Sequence, residues 1–128
     1  MLGTQRKIAG YEPATEVNGK PIARAIENLD AICDRLRVRS LSSYHSASLE
    51  ETFDAIGEPV PDDLPERPIE WSEPNDGLRT VEALIEYVRS HPDDVPSAVA
   101  VEKDLERFQT VLQKAREFGT RFRIRIDI

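Results

Sequence analysis

Three stretches of this chain place large apolar residues at alternating steps of four and three, and this spacing narrows the choice of fold most. Ile22, Ile26, Leu29, Cys33 and Leu36 form the first stripe, which Ala25 and Ile32 widen. Leu78, Val81, Leu84, Ile85 and Val88 form the second, and Val101, Leu105, Phe108, Leu112 and Ala115 the third, extended by Phe118. An α-helix takes about 3.6 residues per turn, so each set falls on one face that needs an apolar partner. The spacing predicts a helix over 21–37, another following Asp76-Gly77 and stopping before His91-Pro92, and a third from Pro96, capped by Ser97 and closed by Gly119. Pro21 suits a first helical turn, where a missing N–H removes no bond. A short fourth helix is expected after Ser48-Leu49-Glu50-Glu51, a capping box in which Ser48 and Glu51 satisfy each other's backbone N–H groups. Leu49, Phe53 and Ile56 would face inward from it, and Gly57 would end it.

The last eight residues, RFRIRIDI, change period from helical to two. Phe122, Ile124, Ile126 and Ile128 alternate with Arg121, Arg123, Arg125 and Asp127, as in a strand with one greasy and one wet face. Backbone groups on both edges of such a strand need partners. Residues 40–46 are the first candidate, RKIAGY near the start the second, and the stretch around Ile69-Glu70-Trp71 the third. The expected fold is therefore α+β and mainly helical, with about four helices packed on one side of a small two- or three-stranded sheet that includes the C-terminal strand, 121–128. It is expected to be a single domain, 1–128, with one edge of that strand open to a homodimer. Pro59, Pro61, Pro65 and Pro68 exclude a regular helix or central strand from about 58–70, a Pro-rich acidic crossing over the surface.

Charge is unevenly distributed. The net charge of −7 divides into seven Lys/Arg against five Asp/Glu in residues 1–46, three against fourteen in 47–94, and seven against five in 95–128. An acidic middle argues against nucleic-acid binding, which needs a continuous cationic surface, and suits a basic protein partner drawn in by long-range attraction. The opening MLGTQRKIAGYEP has no apolar run of signal-peptide length, and no stretch approaches the roughly 18 apolar residues of a membrane helix. With one cysteine, Cys33, there is no intrachain disulfide framework. Together these point to the cytoplasm and away from membranes.

Candidate chemistry is sparse. Ser40 to Ser46 sets serines beside Tyr44 and His45, but neighbours on a strand point to opposite faces, and a nucleophile needs a base that a third group orients. His91 ends a helix, where it can cap carbonyls; two histidines in the chain make a poor metal set. Cys33 on an apolar stripe reads as a small hydrophobe. Asp62, Asp63 and Glu66 lack calcium-loop spacing, and Gly77 has no following Lys-Ser/Thr to cradle phosphate. The pairs Pro61-Asp62-Asp63-Leu64-Pro65 and Pro92-Asp93-Asp94-Val95-Pro96 read as two turns of similar design. No catalytic residue, metal or cofactor is assigned.

The motif W-x5-GL-x-TV-x-AL over 71–84, VEKDLERF over 101–108 and the alternating end closing on Asp127 together resemble a family of small bacterial proteins with no assigned function. The resemblance implies a bacterial cytosolic protein and brings no activity or site residue. The functional expectation is a non-enzymatic interaction or accessory module, in one version an immunity-type inhibitor of a basic toxin. Its partner would be met through Asp62, Asp63, Glu66, Glu70, Trp71 and Glu73, Trp71 serving as anchor or as hot spot. The alternative is a small enzyme or ligand-binding domain with a pocket near Tyr44, His45 and Trp71.

Overall fold

A computed structural model describes residues 2–4, 20–46, 49–65 and 69–124. Its elements run β1 (Leu2–Thr4), α1 (Lys20–Arg24), α2 (Ile26–Leu36), α3 (Leu49–Ala55), α4 (Pro74–Ser90), α5 (Ala98–Glu117) and β2 (Phe122–Ile124). The second and third stripes meet: α4 and α5 form a helical hairpin that buries all ten of their central apolar side chains, from Leu78 to Val88 and from Val101 to Ala115. α2 lays Leu29, Ile32 and Cys33 against α4, while α1 packs on α5 and brings Ile22 into the same core. Each fully buried Leu, Ile, Val or Phe contributes about 1.5–3 kcal/mol, so the helical layer supplies most of the stabilisation.

The expected α+β arrangement is overturned. The described residues are mainly helical, with five α-helices, and no two- or three-stranded sheet underlies them. Among the described residues, strand pairing is limited to a three-residue antiparallel match of β1 with β2, in register Leu2↔Ile124, Gly3↔Arg123 and Thr4↔Phe122, and to single bridges at His45 and Ser72. The physical reason lies in the intended partner. Leu41 and Tyr44, three residues apart, coil into a 3-10 turn that buries both, because a period of three puts them on one side. A strand would have sent them to opposite faces.

Period two does hold over 122–124, where Phe122 and Ile124 are buried and Arg123 is half-buried. Phe122 exchanges both backbone bonds with Ser72, at 2.7 and 2.9 Å, and the Ile124 carbonyl accepts the Ser46 N–H at 3.0 Å. β1 occupies the other edge, so both edges of 122–124 are taken and a homodimer built there would have to displace a pairing. Residues 125–128, RKIAGY and Ser48 lie outside the described residues.

Boundaries shifted where local chemistry met packing. The single helix expected over 21–37 breaks at Ala25 (φ −101°, ψ 7°), whose N–H is shared between the carbonyls of Pro21 and Ile22 at 3.2 and 3.1 Å. α2 ends on Arg37 in the left-handed region (φ 58°), and exposed Leu36 drops off the stripe. α4 begins at Pro74, before Asp76-Gly77, which leaves Gly77 buried inside the helix. Ser97 precedes α5, but with φ 54° its side chain makes no cap bond; its carbonyl accepts the Val101 N–H at 3.0 Å. Ile56 and Phe118 are exposed rather than inward.

Candidate partner-binding surface

Arg121 and Arg123, two of the alternating arginines, have an internal use. The strand geometry of β2 turns Arg123 away from Phe122 and Ile124. There its guanidinium donates to both carboxylate oxygens of Glu51, one at 2.7 Å, and to the Ser46 carbonyl at 3.3 Å. It also lies 5.4 Å from the centroid of the Trp71 ring, a cation–π distance. The Arg123 and Glu51 side chains are only 15% and 20% exposed. A forked guanidinium matches a carboxylate in two parallel bonds, so one residue ties β2 to α3, to the exit of the 3-10 turn and to the end of the proline-rich crossing. Ser46 reinforces the junction: its Oγ accepts the Glu70 N–H at 2.7 Å. Glu51 thus joins α3 to β2, while the capping box expected with Ser48 lies outside the described residues. Trp71 is half-buried beneath this cation.

Arg121 pairs with Glu73 at 2.9 Å, both well exposed. Two acids of the middle segment are thus neutralised from within, by two cations that follow α5. Asp54, Glu58, Asp62, Asp63 and Glu70 are exposed and form no ion pair among the described residues. Asp62 and Asp63 project from a turn closed by the Leu64 N–H on the Pro61 carbonyl at 3.3 Å. Of the residues expected to meet a partner, Glu70, Trp71 and Glu73 therefore adjoin the Arg123 junction, Asp62 and Asp63 sit on the turn, and Glu66 lies outside the described residues. Sequence reasoning missed the apolar half of this surface, Ile56, Val60 and Leu64. Its only signal was a set of aliphatic residues between prolines, with no helical or strand period to collect them.

Tyr44, His45 and Trp71, the residues of the alternative site, differ in their surroundings. Tyr44 is buried, and its hydroxyl donates at 3.2 Å to Thr80 Oγ1, which in turn donates to the Arg39 carbonyl at 2.7 Å. Burial raises the Tyr44 pKa above its ordinary value, and the Arg39 guanidinium lies 4.4 Å from the ring centroid. His45 is solvent-exposed, and Trp71 is half-buried under Arg123. Two clefts flank α4. One of about 490 Å³ is lined by Glu82, Ile85, Glu86, Arg89, Ser90 and Gln109, and Arg89 is held beside it by Glu102 and Glu106. The other, about 310 Å³, lies where Leu36 faces Tyr87 and His91. The His91 ring stacks on Tyr87 at 4.5 Å. Tyr87 donates to Asp94 Oδ2 at 2.7 Å, a bond that raises the phenol's pKa.

Cys33 is fully buried, and burial pushes its thiol up to about 11, leaving almost no thiolate at neutral pH. Among the described residues no three His, Cys, Asp or Glu side chains converge as metal ligands, and no helix is long and apolar enough to cross a membrane. No protein-family model matches this chain, and neither a curated protein nor a solved structure matches it.

Proposed function

We propose that this protein is a non-enzymatic interaction module whose acidic middle segment meets a basic protein partner in the cytoplasm. One observation carries the proposal. Arg123 and Arg121 are committed to Glu51 and Glu73, while Asp54, Glu58, Asp62, Asp63 and Glu70 are exposed and form no ion pair among the described residues. Unpaired like charges on one surface repel, and a cationic partner relieves that repulsion. Such a surface acts mainly on encounter: complementary fields raise association rates well above those of neutral partners, and salt screens the effect. An immunity-type inhibitor that masks a basic toxin is the specific version that this physics favours, because rapid capture is what such an inhibitor needs.

The test is capture from native lysate at about 50 and about 500 mM salt, a range that shortens the screening length several-fold, followed by association kinetics with the captured protein. Wild type should bind with a rate that falls steeply with salt. The double variant Asp62→Asn, Asp63→Asn should associate more slowly and with a shallower salt slope. Binding that ignores both salt and the double variant would remove the proposal.

A further inference from the structure

We infer that the docking element is the ribbon from Asp54 to Leu64, and that it seats in a partner groove with an apolar floor and a cationic rim. The inference rests on the partner-binding proposal and names the surface and its complement. Among the described residues six large apolar side chains are exposed, and three of them fall within residues 56–64: Ile56 at 62%, Val60 at 37% and Leu64 at 42%. The remaining three, Leu36, Val99 and Phe118, are scattered singly along the chain, which is normal for a protein surface; the concentration of the other three in one segment is what points to docking.

Local structure explains why the core does not claim these side chains. Gly57 in the left-handed region (φ 73°) turns the chain out of α3, with the Glu58 N–H closing back on the Phe53 carbonyl at 3.0 Å. Pro59, Pro61 and Pro65 then deny the segment the N–H groups of a helix or ladder. A ribbon without those donors is recognised by its side chains rather than by strand addition. Its prolines also narrow the conformations lost on docking, which favours binding.

Asp54, Glu58, Asp62 and Asp63 are interleaved in sequence with the apolar residues and form no ion pair among the described residues. Interfaces combine apolar anchors with charged groups, and this segment supplies both. The complement must carry Lys or Arg around an apolar floor. Nucleic acids and anionic lipid headgroups would be repelled by the same carboxylates.

The test uses two synthetic peptides of equal length and equal positive charge, one an amphipathic Lys/Leu sequence and the other Lys/Ser, each titrated into the isotope-labelled full chain. The Lys/Leu peptide should shift the amide resonances of 56–64 and bind at least about tenfold more tightly than Lys/Ser, the return expected from burying one or two aliphatic side chains. The variant Val60→Ser, Leu64→Ser should bring Lys/Leu down to the Lys/Ser level, with core resonances unmoved because both side chains are exposed. Equal affinity for the two peptides at the ribbon would overturn the docking inference and leave the acidic-surface proposal standing. Shifts confined to other parts of the molecule would also overturn it. If neither peptide perturbs the ribbon or its carboxylates at low salt, both fall.

Discussion

Gly77 offers the sharpest test of the packing, because two well-calibrated effects pull in opposite directions there. The residue lies inside α4, where replacing glycine by alanine at an open site stabilises by about 0.8–1.0 kcal/mol. Gly77 is not open. A Cβ built on it would overlap Cζ of Phe122, come within 2.8 Å of Cε1, and approach Leu112 Cδ1 at 3.2 Å. The Phe122 ring is fully buried and tilted against Tyr44 at a centroid separation of 5.3 Å, so it has little room to withdraw. Forcing a methyl into such a site costs about 1–3 kcal/mol. Gly77→Ala should therefore destabilise by about 0–2 kcal/mol net, opposite in sign to its helix propensity, and lower Tm by up to several degrees. Urea unfolding followed by circular dichroism measures this. In a Phe122→Leu background the ring is gone, and the same substitution should become neutral or stabilising, a coupling of about 0.5–3 kcal/mol between residues in contact. Stabilisation by about 1 kcal/mol in the wild-type background would mean that the ring does not lie on the α4 backbone, and the placement of β2 would fail with it.

Three further outcomes follow from the described contacts. Arg123→Ala should destabilise by about 1.5–3 kcal/mol, since it strands a mostly buried Glu51 carboxylate, whereas Arg121→Ala, removing an exposed pair, should stay within about 1 kcal/mol; chemical denaturation of both variants separates the two roles. Thr80→Val keeps the shape but leaves the Tyr44 hydroxyl and the Arg39 carbonyl without their Thr80 partner, so a loss of about 1–3 kcal/mol is expected by the same assay. Cys33 makes an alkaline prediction: its thiol rises from 9.0 to about 11 in the folded state, so the folded chain holds that proton more tightly than the unfolded chain. The contribution is intact below pH 9 and is lost as pH rises towards 11, by about 3 kcal/mol. A Cys33→Ala variant, less stable at pH 7 because of its cavity, should show a flatter fall between pH 9 and 11, measured by urea midpoints; identical slopes would refute the assignment. Tyr44, raised by burial in the same direction, accounts for a residual slope in both proteins.

How much of this molecule was legible in the sequence depended on the reach of each signal. The stripes of α2, α4 and α5 were legible because helical periodicity repeats over many residues and each repeat adds to the same inference. Gly77 was misread as a helix start, because Asp-Gly is a turn signal locally and only Phe122, far along the chain, requires the missing side chain. Residues 40–46 were misread as a strand because polar serines mask the three-residue spacing of Leu41 and Tyr44. At the surface the carboxylates were legible from charge counting, while exposure of Ile56, Val60 and Leu64 was not, since an aliphatic residue between prolines looks the same whether it is buried or exposed.

The sequence by itself determined that three long amphipathic helices would form and bury their stripes against one another, and that the middle of the chain would carry the negative charge. Tertiary structure alone decided that the short alternating end would slot between β1 and the backbone of Ser46 and Ser72 rather than head a sheet. It also decided that Arg123 would draw Glu51 and Trp71 to one junction, and which acids would be left without a cation. Helix formation is governed by neighbours a few residues apart, whereas pairing, charge compensation and exposure depend on residues that only folding brings together.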